Sequence, residues 1–305
     1  MATSSSKDFN LDVAEYVEEA FERCGLDVRT GHDLQSARRS MNLLFAEWAN
    51  RGLNRWTINQ TTLNLAQGIG DYPLGTLTAT VAASGSFTVA ETITGGSSGA
   101  TAKITSKPSS TSLAITIPDG TFTSGETLTG GTSGATTSLS SAVDLSNVQG
   151  SIDILSLVIR TDAGTTSQSD TSLSRLSRDT YLSISNKLTE AKPNQFYVDR
   201  QITPILKIWP VPDVSTYVLV YDRLLRMDDA DTFLNNADVP FRFYPCLVAG
   251  LAYYLSIKKA PERVPMLKSM YEEEFERAAS EDRDRSSLTL TPSRDYYSIF
   301  FQQGS

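Results

Sequence analysis

Between Leu11 and Cys24 the apolar residues fall at Val13, Tyr16, Val17, Ala20, Phe21 and Cys24, three and four apart, which predicts an amphipathic helix. Asn10 is its expected N-cap and Gly25 its expected C-cap, while Asp12 and Glu15 suit the positive end of the helix dipole. A second run, "DLQSARRSMNLLFAEWANRG", puts Leu34, Ala37, Met41, Leu44, Phe45 and Trp48 on one face. Arg38, Arg39, Asn42 and Glu47 lie opposite, and Gly52 ends the run. The pair predicts an αα-hairpin. "RWTINQTTLNLAQG" then alternates, imperfectly, through Trp56, Ile58, Leu63 and Leu65, which predicts a strand.

The pattern changes after "DYPLG". Residues 76–147 are dominated by Thr, Ser and Gly, and their only charged residues are Glu91, Lys103, Lys107, Asp119, Glu126 and Asp144. Within them "GSFTVAETITGGSSGATAKIT" (85–105) returns as "GTFTSGETLTGGTSGATTSLS" (120–140), with more than half the positions identical. Duplication at such a period means one supersecondary unit copied and packed on itself. Phe87, Val89 and Ile93 alternate, as do Leu113, Ile115 and Ile117, with Gly-Gly and Ser-Gly turns between them. That predicts a small β-domain and not a disordered linker. Without it "YPLG" would run into "VQGSIDIL" as one β-region, the mark of an insertion at a loop tip.

Beyond Val148, "SIDILSLVIR" predicts a strand and "SLSRLSRDTYLSI" a short helix or turn. "NQFYVDRQI", "ILKIWPVPD" and "TYVLVYDRLL" predict three antiparallel strands, the last two joined by the Pro-Val-Pro-Asp turn. Asp238 and Pro240 are placed to start a helix through "PCLVAGLAYYLSIKK", which Pro261 stops. Its apolar run, 243–257, is shorter than the roughly 20 residues of a membrane span and predicts a buried helix, with no membrane partner. A further helix carries Val264, Leu267, Met270, Tyr271 and Phe275 on one face. Leu247, Leu251 and Leu255 are expected to pack with Met41, Leu44, Phe45 and Trp48 in a helix bundle. The end of the chain has no helical period but places Tyr296, Tyr297, Phe300 and Phe301 close together. Leaving such rings in water is unfavourable by about 25 cal/mol per Å², so they are expected to anchor a terminal arm in a partner.

The expected fold class is therefore α+β. Two N-terminal and two C-terminal helices form a bundle, joined to an antiparallel β-region and an inserted, duplicated β-domain. The boundaries are 1–75 and 148–285 for the core, 76–147 for the insertion and 286–305 for the arm.

Charge narrows the classes of function. A net charge of −8 argues against a protein that clamps nucleic-acid phosphate. It is compatible with a conduit, because an acidic wall repels the backbone and lets DNA slide. Cys24 and Cys246 each sit in an apolar helical pattern, expected as buried free thiols made in a reducing cytoplasm. "MATSSSKDFN" has no apolar core of a signal peptide.

Candidate chemistry is sparse. The one histidine, His32, has no G-x-S-x-G elbow to serve, and zinc would need more His and Cys. Glu272, Glu273, Glu274 and Glu276 alternate with Arg277 in the manner of a solvated, salt-bridged face, although a glycoside hydrolase needs only two carboxylates. "GGSSGAT" and "GGTSGAT" lack the Lys of a phosphate loop and read as turns. Arg38, Arg39, Arg51 and Arg55 are expected to pair with acidic residues of neighbouring helices or subunits. No catalytic, cofactor or metal site is expected, and the chain is not expected to be an enzyme.

"SARRSMNLLFAEWANRGLNRWTI", "QFYVDRQITPILKIWPVPD" and "VPFRFYPCLVAGLAYYLSIKKAPERV" resemble the head-to-tail adaptors, or packaged-DNA stabilisation proteins, of short-tailed bacteriophages. The resemblance covers most of 8–75 and 148–292 and leaves out the duplicated segment, which resembles short "GETITGGTSGATA" repeats of phage structural proteins. It implies a virion protein without catalysis, typically a ring of twelve subunits between the portal and the tail nozzle or hub. Helices would surround the DNA channel and C-terminal segments would reach the portal. At −8 per subunit, twelve subunits would set about a hundred negative charges around packaged DNA, favouring passage without sequence-specific binding. The insertion is expected to make protein contacts or decorate the particle, and secondly to bind glycan, with Phe87 and Phe122 as its only aromatic platforms. Two other classes remain open: a virion-associated cell-wall hydrolase, and a surface-binding module acting through the insertion.

Overall fold

The computed structural model describes residues 9–28, 30–52 and 55–282. The chain runs through α1 (Val13–Arg23), α2 (Gly31–Arg51), β1 (Ile58–Asn64), β2 (Asp71–Pro73), β3 (Thr78–Thr80), β4 (Thr92–Gly95) and β5 (Thr101–Ser109). It continues through β6 (Ser112–Ile115), β7 (Thr127–Gly130), β8 (Thr136–Ser138), α3 (Ser146–Gln149), β9 (Ser151–Thr161), β10 (Ser169–Ser172) and β11 (Ser174–Arg175). The last elements are α4 (Arg178–Ser183), β12 (Gln195–Asp199), β13 (Ile205–Trp209), β14 (Val218–Leu225), α5 (Tyr244–Lys259) and α6 (Val264–Glu281). The fold is α+β, and its sheets are almost wholly antiparallel. The chain divides into two compact units, Met1–Ser40 with Pro240–Ser305 and Met41–Val239.

The first unit is helical. α1 buries Val13, Tyr16, Val17, Ala20 and Phe21, the face that the spacing predicts. Its N-cap is Asp12 and not Asn10: Asp12 accepts from the Glu15 amide while Glu15 accepts from the Asp12 amide, a capping box that serves two amides at once. The Asn10 side chain instead accepts from the Tyr244 hydroxyl at 2.8 Å. Gly25, at φ 68°, follows the helix and lets the Gly25 and Leu26 amides reach the Glu22 and Phe21 carbonyls, closing the exposed carbonyl end.

α5 is preceded by a 3-10 turn, Phe241–Phe243, and Pro245 stands in its first turn, where a missing N–H is no loss. Asp238, the expected starter, accepts from the Asp228 amide instead. α5 is apolar nearly all round and buries Cys246, Leu247, Leu251 and Leu255. Cys24 and Cys246 are buried and lie outside any disulfide; burial raises the Cys24 thiol above its ordinary value, and its sulfur donates to the Ala252 carbonyl. α6 buries Leu267, Tyr271, Phe275 and Ala278. Met270 departs from expectation at 42% exposed, because it stands at the margin of the stripe. Among the described residues no helix is long and apolar enough to cross a membrane.

The second unit holds three sheets. One has the order β1-β14-β9-β10 and another β11-β12-β13-β2. They share a core in which Leu63, Ile154, Leu157, Ile159 and Leu219 meet Tyr72, Phe196, Val198, Leu206 and Ile208. The expected β13–β14 hairpin is absent. β13 pairs with β12 and β2, whereas β14 lies between β1 and β9, so "PVPD" carries the chain from one sheet to another. Both strands alternate as half-buried strands do, and alternation does not reveal which strand is the neighbour.

The third sheet, β3-β6-β5-β4-β7-β8, is built by the duplicated segment. A bridge between Val81 and Leu139, with the Ala82 and Ser140 amides donating to the Ser138 and Thr80 carbonyls, joins its outer strands. The sheet thus closes on itself and leaves no free edge to template aggregation. Its core gathers Leu77, Phe87, Ile93, Ile104, Leu113, Ile115, Phe122, Leu128 and Leu139 with smaller residues.

Candidate functional site

The two repeats meet about a pseudo-twofold axis. In the central β4–β7 pair Ile93 faces Gly130, Thr94 faces Thr129 and Gly95 faces Leu128. Thr94 and Thr129 occupy the same position of the repeat, so the axis passes through them. The Gly96 amide donates to Thr127 and the equivalent Gly131 amide to Thr92, both at 2.8 Å.

Across this axis the repeats exchange carboxylates. Glu126, in the second repeat, accepts from the Ser97 and Ser98 amides at 3.2 and 3.0 Å and from both serine hydroxyls in the first repeat's "GGSSG" turn. Its own repeat adds the Thr123 amide at 2.6 Å. Glu91 mirrors it, accepting from Thr132 and Ser133 amides, the Ser133 hydroxyl and the Thr88 amide. The two glutamates are 6% and 4% exposed. Burial by itself raises a carboxyl, but the amides of Ser98, Thr123 and Ser97 with the Ser98 hydroxyl outweigh it and bring Glu126 down to about 2. Glu91 is lowered in the same way, against burial, by Ser133, Thr88 and Thr132. Converging neutral donors hold a carboxylate charged without any cation. The turns that lack a phosphate loop's lysine are thus anion cradles already filled from within the chain.

This geometry explains the shared "ET-x-TGG-x-SGAT". A Cβ at Gly95 would strike the Ser98 hydroxyl and the Glu126 carboxylate, and one at Gly130 would strike Ser133 and Glu91. The symmetry lapses at one informative place: Gly125 has φ 82°, and its counterpart Ala90 holds φ 71°, a conformation that disfavours any Cβ.

Where the barrel's chain enters and leaves, Arg223 of β14 joins the two ends. Its guanidinium, in a residue 7% exposed, donates to the Leu74 carbonyl, the Asn147 carbonyl and side chain, and Ser151 Oγ at 3.1–3.4 Å. Ser151 Oγ donates to Leu74 and Asn147 Nδ2 to Thr76. Desolvation lowers the Arg223 pKa below its ordinary value. The expected insertion point is thus a set of hydrogen bonds on one buried cation. Glu91, Glu126 and Arg223 were not singled out by pattern; the only signal was that glutamate is the one charged residue identical in both repeats.

Phe87 and Phe122 are 2% and 3% exposed. They are core and not platforms, because a small barrel has few large side chains with which to fill itself.

Met41, Leu44, Trp48, Leu247, Leu251 and Leu255 are fully buried and Phe45 nearly so. Tyr296, Tyr297, Phe300 and Phe301 lie outside the described residues. His32 is exposed in the first turn of α2. Glu273 and Glu274 pair with Arg277 on the outer face of α6, and Arg51 pairs with Glu47. A cleft of about 930 Å³ beside the barrel is lined in part by Asp71, Lys103, Asp119, Tyr181, Lys187 and Lys207. Its Asp71 is engaged by Lys207 at 2.8 Å, and its lining has no histidine or cysteine. Among the described residues no group of His, Cys, Asp and Glu is placed to hold a metal ion.

An α+β chain with a two-sheet core and an inserted barrel is here matched over nearly its whole length by a family of phage head-to-tail adaptors. The chain belongs to the SU10 adaptor protein family, whose model matches residues 13–294. No curated protein matches it in sequence.

Proposed function

We propose that this protein assembles as a closed ring, twelve-fold by family resemblance, between the portal and the tail nozzle or hub of a short-tailed phage. The observation that carries this reading is the family match over 13–294. In the ring it lengthens the DNA channel, helps to retain packaged DNA and offers the next tail component a surface. The DNA passes without sequence-specific contacts, past subunits of charge −8. The chain is made in the host cytoplasm and works in the virion, at the head–tail junction. It acts mechanically, without turnover of a substrate.

Four parts divide this work: 1–75 and 148–285 as the adaptor core, 76–147 as the barrel and 286–305 as the arm. Met41, Leu44, Phe45, Trp48, Leu247, Leu251 and Leu255 pack the helices. Tyr296, Tyr297, Phe300 and Phe301 anchor the arm on the portal. The barrel, with its own closed sheet and core, favours a second role as a contact or decoration module. Protein contact is preferred to glycan because both phenylalanines are internal.

Mixed with portal rings, the full chain is expected to co-sediment with them, and a chain lacking residues 293–305 to bind them more weakly. Undiminished binding of the shortened chain would remove the arm from the reading. A cell-wall clearing assay on the wild type separates the adaptor from a hydrolase: clearing that Gln at Glu272, Glu273, Glu274 and Glu276 abolishes would replace the adaptor reading.

A further inference from the structure

The helical unit carries two unlike surfaces. The first is a groove of about 430 Å³ between α1 and the start of α5. Leu11, Tyr244, Pro245, Val248 and Phe9, which is 64% exposed, supply its apolar part. Glu15, Glu18, Glu19 and Glu22 line it as well, with Arg23 as its one basic residue. Glu15 is occupied in the capping box and Glu19 by Arg23. Glu18 and Glu22, one turn apart and exposed, have no ion-pair partner among the described residues and repel each other.

The second surface is basic, in a protein whose net charge is −8. Lys258, near the end of α5, donates to Ser40 Oγ at 2.7 Å and Ser36 Oγ at 3.3 Å. Neither is an anion. Desolvation, Arg39 and Lys259 all lower the Lys258 pKa below its ordinary value. Lys259 is matched by Asp33, but Arg39 is exposed and has no ion-pair partner among the described residues. Beside Lys258 stands Ile257, 54% exposed.

At about 100° per residue, the mean direction of Ile257 and Lys258 lies roughly 160° from that of Pro245 and Val248 around α5. The unit is therefore acidic with an apolar floor on one side and basic with an apolar knob on the other. A heterologous, head-to-tail contact requires two different, complementary surfaces, and repeating it closes a ring.

We propose that these surfaces are the two halves of the contact between neighbouring copies: the Arg39–Lys258 patch of one copy seats on the Glu18–Glu22 groove of the next, with Ile257 entering its apolar floor. This rests on the ring reading and names the residues that close it. Opposite charge steers the encounter and fixes its register, and the apolar knob excludes water from it.

The test uses full-length protein with portal rings and measures ring fraction by native mass spectrometry. E18R/E22R and R39E/K258E are each expected to reduce assembly about tenfold or more, with unchanged circular dichroism because all four side chains are exposed. A chain carrying all four changes has swapped faces and is expected to recover most of the ring. Carbodiimide should link Lys258 of one copy to Glu18 or Glu22 of another when isotopically distinct subunits are mixed. Rings that survive either reversal, or a fourfold swap that fails to restore them, overturn this contact and leave the ring reading standing. A wild type that never assembles overturns both.

Discussion

The helical unit and the barrel solve the same problem with different material. α5 buries a dense apolar sequence, and its neighbours turn continuous stripes toward it. The barrel has a smaller core: two phenylalanines, seven leucines and isoleucines, and valines and alanines fill it. So small an apolar core is marginal. What it adds is a pair of buried carboxylates, each seated in the other repeat's turn. Apolar packing tolerates exchange of one hydrophobe for another, whereas a buried charged hydrogen-bond set fails when one member is lost. The two regions should therefore break in different ways.

The largest effect is expected from Glu126→Ala or Glu91→Ala. Each leaves several part-buried amides and hydroxyls without their acceptor, for about 3–5 kcal/mol in sum. Hydrogen exchange should show the barrel amides opening while α5 stays protected. Equal loss of protection in both regions would mean that the barrel is not a separate cooperative body. Next, Leu251→Ala should destabilise the helical unit by about 2–5 kcal/mol, seen as a lower denaturant midpoint with barrel exchange little changed.

Acid should separate the regions as well. Glu126 titrates near 2 in the folded barrel, against 4.5 for an ordinary glutamate. Its stabilising effect is complete above pH 4.5 and is lost as pH falls toward 2. Glu91, shifted in the same direction, loses its contribution as pH falls below the ordinary glutamate value. Barrel exchange should accelerate through this window, and Glu126→Gln should flatten the response. The smallest effect is a gain: Ala90→Gly should stabilise the barrel by about 0.5–1 kcal/mol by relieving its left-handed backbone, read as slower exchange at the β4 amides.

Much of the fold was legible in local pattern. The α1, α2 and α5 faces, the strands after Val148 and the duplication all follow from spacing that one element imposes on its own residues. What was not legible joins distant residues. Two half-buried strands alternate alike whether or not they pair, so β13 and β14 read as a hairpin although they belong to different sheets. Glu91 lies 42 positions from Ser133, and nothing in the intervening chain marks their meeting. Arg223 binds two ends of an insertion that begins far from it in sequence. Asp12 displaced Asn10 as the cap because Glu15 completes its box, a pairing visible in sequence once the N-cap and the third helical residue are read together.

The central claim is that copies of this chain join side by side to connect the head of a phage to its tail. Electron microscopy of the purified protein together with its portal tests it most directly. The account predicts one closed ring of subunits seated on the portal. Single subunits that leave the portal bare, at concentrations where both proteins are intact, would contradict it.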